Sequence, residues 1–201
     1  MDKLNQLERR IVELSYKHHL SHISSCLNCV NLIDWIYDQR KEGDPFCLDN
    51  GHASLAHYVV LEKHGLCDAE EMVKKHGVHS SRDMAHEIWC SNGSLGQAAT
   101  VAVGMALADQ NRTVWLVTSD GACMEGSVYE SFRFARRNCP NLKIHVVYNG
   151  YGAYGEVAFF DINAMESQIF TVDEKRYPEW LQGLAGHYLV LTESQRDELL
   201  A

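Results

Sequence analysis

The sequence lacks both a long apolar run and an excess of basic residues. Its 201 residues include 18 Lys or Arg against 27 Asp or Glu, which gives a formal net charge of −9 at pH 7. This balance argues against a broad surface for nucleic acids or anionic membranes. No apolar stretch approaches the roughly 20 residues of a membrane span, and the opening MDKLNQLERR is too charged for a secretory signal. We therefore expect a soluble cytoplasmic protein without a nucleic-acid or membrane partner.

Proline is scarce, at three residues, and the seven cysteines form no regular framework. An odd number of cysteines in a chain without an export signal indicates reduced thiols. Cys26 and Cys29 form one C-x-x-C pair, but no second pair of Cys or His lies at zinc-site spacing. Buried structural thiols are the favoured interpretation, and a redox or zinc role stays open. At this length we expect a single domain, residues 1–201.

Helical periodicity is clearest in the first half of the chain. Leu4, Leu7, Ile11 and Leu14 recur at helical spacing and predict an amphipathic first helix. An irregular SHISSCLNC follows, and further helices are predicted in VNLIDWIYDQ, ASLAHYVVLEKHG, DAEEMVKKHG and LGQAATVAVGMALADQ. Residues 77–93 show no periodicity, and a loop of this length in a compact domain is often functional.

The clearest architectural signal lies between residues 113 and 149. TVWLVT and KIHVVYN are continuous apolar runs typical of buried strands, and MEGSVYESFRFARRN between them has the pattern of a helix. Strand, helix and strand form a βαβ unit with parallel strands, so both strands end at the same edge of the sheet. Beyond residue 157 the pattern is weaker. PEWLQGLAG predicts a helix, HYLVL a strand and TESQRDELL a terminal helix.

Polar residues follow both of these strands. Asp120 closes the first and Asn149 the second, so both should face the crevice where open α/β sheets bind ligands. A carboxylate, an amide oxygen and a backbone carbonyl just after Asn149 would supply part of an octahedral Mg²⁺ shell, and a diphosphate would supply most of the rest. Gly121 would let the backbone approach that phosphate. Two ordinary turns, Asp-Gly and Asn-Gly, explain the same residues about equally well.

Several motifs together favour the ligand site. SDGACMEGSVYE, followed by the Asn of VVYNG, resembles the thiamine-diphosphate motif of the transketolase family. LDNGHAS, NGSLGQAATVAVGMALA and SHISS also resemble segments of that family, in the same order, so that the resemblance covers roughly residues 8–157. It implies an α/β fold with three layers, a doubly wound and mainly parallel sheet, in which this chain is the diphosphate-binding domain.

The resemblance also implies the cofactor site. Asp120, Asn149 and the carbonyl of Tyr151 match the ligands of Mg²⁺, or of Ca²⁺ or Mn²⁺ in its place. Gly121 and His52 match residues that touch the diphosphate of thiamine diphosphate. Two further residues, Gly93 and Leu95, match the side of the site that approaches the aminopyrimidine.

Three histidines, His22, His52 and His79, match family residues that line the substrate channel and handle protons. Imidazole suits proton transfer at neutral pH because its ordinary pKa is near 6.5. The remaining histidines are interpreted as surface, capping or packing residues: His18, His19, His57, His64, His76, His86, His145 and His187.

Two glutamates in the same stretch bear on assembly. Glu125 matches a buried glutamate that links two active sites across a subunit interface, and Glu130 is expected in the same acidic network. We expect self-association through this helix, with two copies of each chain in a heterotetramer.

The sequence departs from the family at several positions. Ser119 stands in place of a glycine, Tyr148 in place of an acid, and Trp89 and Cys90 where the substrate channel is expected. No segment matches the family's further active-site histidine or its pyrimidine-binding domain. The resemblance therefore implies a shortened domain and a split enzyme, whose partner polypeptide carries the pyrimidine-binding and C-terminal domains. Such an enzyme of carbohydrate metabolism would transfer a two-carbon ketol unit between sugars or sugar phosphates, and this chain would be inactive alone.

Two alternatives stay open at this point. One is a different thiamine-dependent reaction on the same scaffold, similar to that of deoxyxylulose-phosphate synthase or the keto-acid dehydrogenases. The other is a protein that binds the cofactor without turnover, as Ser119, Tyr148 and the shortened domain would allow.

Overall fold

The computed structural model describes residues 3–152, 155–163, 165 and 167–201. Residues 153 and 154, which belong to the stretch that resembles the transketolase family, lie outside this range. No helix of the described residues is long and apolar enough to cross a membrane.

Ten helices and six strands follow along the described chain. The helices are α1 (Gln6–Lys17), α2 (Ile23–Gln39), α3 (Ser54–Lys63), α4 (Ala69–His76), α5 (Gln97–Ala108), α6 (Asp120–Cys123), α7 (Gly126–Asn138), α8 (Phe159–Asn163), α9 (Gly183–His187) and α10 (Glu193–Leu200). The strands are β1 (Phe46–Leu48), β2 (Val114–Ser119), β3 (Leu142–Tyr148), β4 (Tyr151–Gly152), β5 (Gly155–Glu156) and β6 (Gln168–Thr171).

Within the described residues the main sheet has four parallel strands in the order β1-β2-β3-β6. Alternate residues of each strand face opposite layers of helices. Val117 and Val147 pack with α1, α2 and α3 on one face, whereas Leu116 and Val146 pack with α5 and α7 on the other. Helices therefore cover both faces of a parallel sheet, as the predicted α/β fold requires. That fold class is confirmed.

The predicted βαβ unit is present. β2 pairs with β3 in register from Val114 opposite Leu142 to Ser119 opposite Val147, and α7 forms the connection between them. Both strands consequently end at the same edge of the sheet. Strand β6 extends this edge, because it also runs parallel to β3, with Thr171 opposite Tyr148.

Two of the sequence predictions about local structure are wrong. The stretch SSCLNC is not irregular: α2 begins at Ile23, directly after His22 in a left-handed conformation (φ 66°), and places Cys26 and Cys29 on its buried face. The predicted strand HYLVL is also absent, since α9 ends at His187 and residues 188–191 run on without strand pairing. Leu191 is buried in the core, so this segment is held by side-chain packing instead of by the sheet.

Candidate functional site

A cavity lies at the carboxyl edge of the sheet, where β2, β3 and β6 end. Asp120 and Asn149 both line it, so the topology brings these two predicted residues together. Gly121, His52, Leu95 and Tyr151, also predicted from the sequence, belong to the same lining. This is the crevice in which open α/β sheets bind ligands.

Asp120 is a buried carboxylate held by backbone groups. Its Oδ1 accepts a hydrogen bond from the N–H of Gly121 at 2.9 Å, and its Oδ2 accepts from the N–H groups of Asn149 and Gly150 at 3.0 and 2.7 Å. Burial raises the pKa of Asp120, although these N–H groups act in the opposite direction. Within the described chain no Lys or Arg forms an ion pair with it, so the negative charge faces the cavity without a cationic partner.

The turn after β3 presents Asn149 beside Asp120. Gly150 adopts a positive φ of 86°, which few other residues tolerate, and this turns the chain so that its N–H points back at Asp120. The Oδ1 of Asn149 accepts the N–H of Tyr151 at 3.1 Å, and its Nδ2 donates to Oε1 of Glu174 at 2.8 Å. Sequence reasoning missed Glu174, which no motif marks.

A second loop closes the other side of the cavity and carries Leu95. Buried Asp49 holds this loop, because its carboxylate accepts from the N–H of Gly96 at 3.0 Å and from the N–H of Ala99 at 3.2 Å. A Cβ on Gly51 would overlap the side chain of Asn92, so the loop can lie this close to the segment of His52 only because residue 51 is glycine.

The histidines form a cluster beside the cavity. The ring of His22 lies 5.2 Å from that of His52 and 4.5 Å from that of His187, measured between centroids, and His52 and His187 are 4.9 Å apart. His187 also contacts Ser25, with Nδ1 3.1 Å from the hydroxyl oxygen. The interpretation of His187 as a surface, capping or packing residue misses this position, because the fold of the C-terminal segment gives no motif.

Burial disfavours protonation of the histidines in this cluster. It lowers the pKa of His52 to about 3 and that of His22 to about 4, and the neighbouring imidazoles contribute to both shifts. The pKa of His187 is lowered by burial as well. These rings are therefore neutral at pH 7, and a neutral imidazole accepts a proton at one nitrogen and donates one at the other.

The remaining predicted residues do not line the cavity. His79 is exposed and lies against Gly93, where a Cβ would be 3.4 Å from its ring. Glu125 is the residue before α7 and Glu130 is exposed on that helix. The structure therefore places His79 beside the histidine cluster, where it contributes to the lowered pKa of His22 and His52, and it places the two glutamates on or next to α7, outside the cavity lining.

The departures from the family pattern have local structural explanations. Ser119 caps α6, because its Oγ accepts the N–H of Ala122 at 3.2 Å. The hydroxyl of Tyr148 donates to the carbonyl of Val157 at 3.0 Å and its ring packs on Phe159. Cys90 is buried against α5 and does not line the cavity.

The C-x-x-C pair is buried as well. Asn50 Nδ2 lies 3.1 Å from Sγ of Cys29, and burial raises the pKa of both Cys26 and Cys29 to about 12. Both groups are thus neutral thiols, as the structural interpretation expected.

The cavity fits a divalent cation and phosphate oxygens. Its oxygen donors are hard: a carboxylate, an amide oxygen and backbone carbonyls. The buried Oδ1 of Asn50 and Oδ1 of Asn28, both from residues of the lining, have no hydrogen-bond partner in the described chain. The volume of 80 Å³ exceeds the roughly 10–15 Å³ that one water needs and falls short of the roughly 300 Å³ of a drug-sized pocket. A cofactor that places its diphosphate here would extend outside the cavity.

Comparison with known proteins identifies the family of this chain. The family described as "Thiamine pyrophosphate enzyme, C-terminal TPP binding domain" matches residues 70–178, which include Asp120, Asn149 and Glu174. The chain belongs to this family. The sequence motifs predict thiamine diphosphate as the cofactor. This prediction is confirmed at the level of the family, which binds thiamine diphosphate.

Individual relatives are transketolases and related enzymes. The chain is 32% identical over 143 residues to a subunit of apulose-4-phosphate transketolase from Phocaeicola vulgatus, a match that covers 61% of this chain and 50% of that protein. It is 28% identical over 139 residues to 1-deoxy-D-xylulose-5-phosphate synthase of Nitratiruptor sp., covering 65% of the chain and 23% of that protein. It is 26% identical over 155 residues to transketolase of Pongo abelii, covering 67% of the chain and 25% of that protein. The resemblance to the transketolase family is therefore confirmed, and the chain spans half the length of the first of these relatives and less of the other two.

Proposed function

We propose that this chain is the diphosphate- and metal-binding subunit of a split thiamine-diphosphate-dependent enzyme of the transketolase type, which transfers a two-carbon ketol unit between sugars. The observation that carries the proposal is the pairing of Asp120 with Asn149 at adjacent strand ends of a cavity without Lys or Arg in the described lining. One matching relative is itself a subunit of an apulose-4-phosphate transketolase, and this supports the split arrangement.

In this proposal Asp120, Asn149 and the carbonyl of Tyr151 hold Mg²⁺, for which Ca²⁺ or Mn²⁺ can substitute. Gly121 and His52 lie on the diphosphate side, and Gly93 and Leu95 face the rest of the cofactor. The carboxylate without a cationic partner in the described chain favours a metal ion here, because a buried charge is stabilised by an opposite one.

Thiamine diphosphate, when bound, supplies a carbon nucleophile for attack on a ketose carbonyl. The chain's own contribution is proton transfer and orientation. His22 is a neutral imidazole in the histidine cluster beside the cavity, so in this proposal it would exchange a proton with a substrate hydroxyl. His52 and His79 would hold or return protons at neighbouring oxygens. His187, which lies within the same cluster, belongs in this group of candidates.

The partner chain would carry the pyrimidine-binding domain and the C-terminal domain. The outer sides of α5 and α7 support such an assembly, because they expose large apolar residues: Val101, Leu107, Tyr129 and Phe134. Glu125 and Glu130 lie on or next to α7 and would face a second copy there. Two copies of each chain would make a heterotetramer.

A second candidate function is a different thiamine-dependent reaction, of the deoxyxylulose-phosphate-synthase or keto-acid-dehydrogenase type. The match to a 1-deoxy-D-xylulose-5-phosphate synthase favours it. A third, binding of the cofactor without turnover, is favoured by Ser119 and Tyr148, which depart from the family pattern and are held by local hydrogen bonds.

Reconstitution tests these candidates. The chain is mixed with a partner chain that carries a pyrimidine-binding domain, and product is measured with ketose phosphates and with α-keto acids as donors. Turnover of ketose phosphates, absent from either chain alone and lost in Asp120→Ala and Asn149→Ala, is the expected result. Turnover of α-keto acids alone would favour the second candidate, and cofactor binding without product the third. Full activity in both variants would contradict the metal site.

A further inference from the structure

Glu174 stands at the third strand end of the row that contains Asp120 and Asn149. It follows β6, whose parallel pairing with β3 brings its carboxyl end to the same edge of the sheet. Glu174 as a whole is 9% exposed. A buried carboxylate at this position requires donors, since an unpaired one is costly.

The hydrogen bonds of the Glu174 carboxylate in the described chain come from amide donors. Oε1 accepts from Nδ2 of Asn28 at 2.7 Å and from Nδ2 of Asn149 at 2.8 Å, and Oε2 accepts from the N–H of Gly183 at 2.8 Å. Glu8 provides a contrast, because this fully buried carboxylate is paired with Arg176 at 3.0 Å. Within the described chain Glu174 has no such ion pair and is held by amides.

These contacts determine the orientation of the Asn149 side chain. A carboxylate can only accept, so the atom of Asn149 that contacts Glu174 must be Nδ2. The N–H of Tyr151 can only donate, so the atom that it contacts must be Oδ1. Both contacts are satisfied by the same orientation of the Asn149 amide. In it Oδ1, which is the atom that a cation would bind, faces Tyr151 and points away from Glu174.

We propose that Glu174 is a positioning residue: it holds the amide of Asn149 with Oδ1 available to a divalent cation and thereby sets the metal affinity of the site. This role rests on the proposed function, and it gives the segment after β6 a part in cofactor binding. Outer partners that orient metal ligands typically change metal affinity by about 10- to 100-fold when they are replaced.

The donor and acceptor pattern provides a direct test. In Glu174→Gln an NH₂ group replaces one of the two acceptors, so a single oxygen is left for the three donors Asn28 Nδ2, Asn149 Nδ2 and Gly183 N–H. The hydrogen bond that holds the Asn149 amide is weakened, and its Oδ1 is no longer kept toward the metal. In Asn149→Asp two carboxylates face each other and repel. In the double variant Asn149→Asp/Glu174→Gln the hydrogen bond returns with its direction reversed, and a carboxylate oxygen again faces the cation. Asn28 can adapt to the new amide at position 174, because its own Oδ1 has no partner in the described chain.

The measurement is the Mg²⁺ concentration that gives half-maximal binding of thiamine diphosphate, obtained by calorimetric titration of the chain mixed with the partner chain. We expect Glu174→Gln to raise this concentration about tenfold or more. We expect the double variant to return within about threefold of the wild type, a non-additivity that direct coupling requires. Glu8→Gln is the matched control, because it perturbs another buried carboxylate and should lower thermal stability without changing the Mg²⁺ dependence.

The outcomes separate this role from the proposed function. A wild-type chain that, mixed with the partner chain, binds no thiamine diphosphate at any Mg²⁺ concentration contradicts both. Wild-type binding that is unchanged in Glu174→Gln, or a double variant weaker than either single variant, contradicts the positioning role alone. Should Glu174→Gln fail to fold, the comparison of Asn149→Asp with the double variant decides: recovery of Mg²⁺-dependent binding supports the role and continued loss contradicts it.

Discussion

Oδ2 of Asp120 accepts a hydrogen bond from the backbone N–H of Asn149 at 3.0 Å, so the end of β2 is fastened directly to the end of β3. One carboxylate thus organises the turn that presents the other candidate ligand. The same contacts leave Asp120 in the cavity lining with its charge uncompensated by a cationic side chain of the described chain.

Removal of this carboxylate should lower stability. In Asp120→Ala the N–H groups of Gly121, Asn149 and Gly150 lose their acceptor. Unsatisfied buried donors cost about 1–3 kcal/mol, so the free energy of unfolding in denaturant titrations should fall by an amount in that range. Asp161→Ala, at an exposed acid, should stay within about 0.5 kcal/mol of the wild type. Equal effects of the two substitutions would contradict a structural role for Asp120.

The position of His187 depends on Gly186. A Cβ at residue 186 would overlap the carbonyl of Leu181, so Gly186→Ala must displace α9 or strain it. We expect a loss of about 1–3 kcal/mol in the free energy of unfolding, together with changed NMR signals of the His22 and His52 rings. Gly126→Ala is the control, since no atom lies within 4 Å of the Cβ that it adds. Unchanged ring signals in Gly186→Ala would show that His187 is not held in the cluster by this turn.

The buried histidines should make stability depend on pH. The pKa of His52 is about 3 in the folded chain and about 6.5 when unfolded, so below pH 6.5 the unfolded state binds more protons. The stability contributed by the neutral ring is therefore fully present above pH 6.5 and is lost as the pH falls toward 3. His52→Asn should reduce the slope of unfolding free energy against pH between about 4 and 6 by up to about 1.4 kcal/mol per pH unit.

His19→Asn is the matched control for this experiment. His19 is exposed and has a positive φ of 52°, which asparagine tolerates. The slope should be unchanged in this variant. A His52→Asn chain with the slope of the wild type would show that His52 is not buried as a neutral ring.

The apolar outer side of α7 should support association. Tyr129 is 55% exposed on this helix, and a charge there would have to be buried in a contact between subunits. Tyr129→Glu should raise the dissociation constant of self-association, measured by sedimentation equilibrium, about tenfold or more. Phe160→Glu replaces an even more exposed aromatic residue outside α5 and α7 and should change nothing. If the two substitutions have the same effect, this side of α7 is not the interface.

The βαβ unit and the cavity group of Asp120, Gly121 and Asn149 could be predicted from the sequence, because strand ends and turn residues carry local signals. Glu174 and His187 could not. Both depend on how residues 172–191 fold back over the sheet edge, and that path is determined by contacts such as Glu174 with Asn28 instead of by periodicity. The start of α2 could not be predicted for a related reason. Serines and cysteines occupy its buried face, so the sequence there lacks the apolar periodicity typical of a helix.

The central claim is that Asp120 and Asn149 bind a divalent cation that holds thiamine diphosphate. Calorimetric titration of the chain, mixed with the partner chain, with thiamine diphosphate in Mg²⁺ and then in EDTA tests it most directly. We predict binding that requires Mg²⁺ and that weakens by about tenfold or more in Asp120→Ala and in Asn149→Ala, but not in Asp161→Ala. Binding that is equally tight with EDTA, or that neither substitution at the strand ends weakens, would contradict the claim.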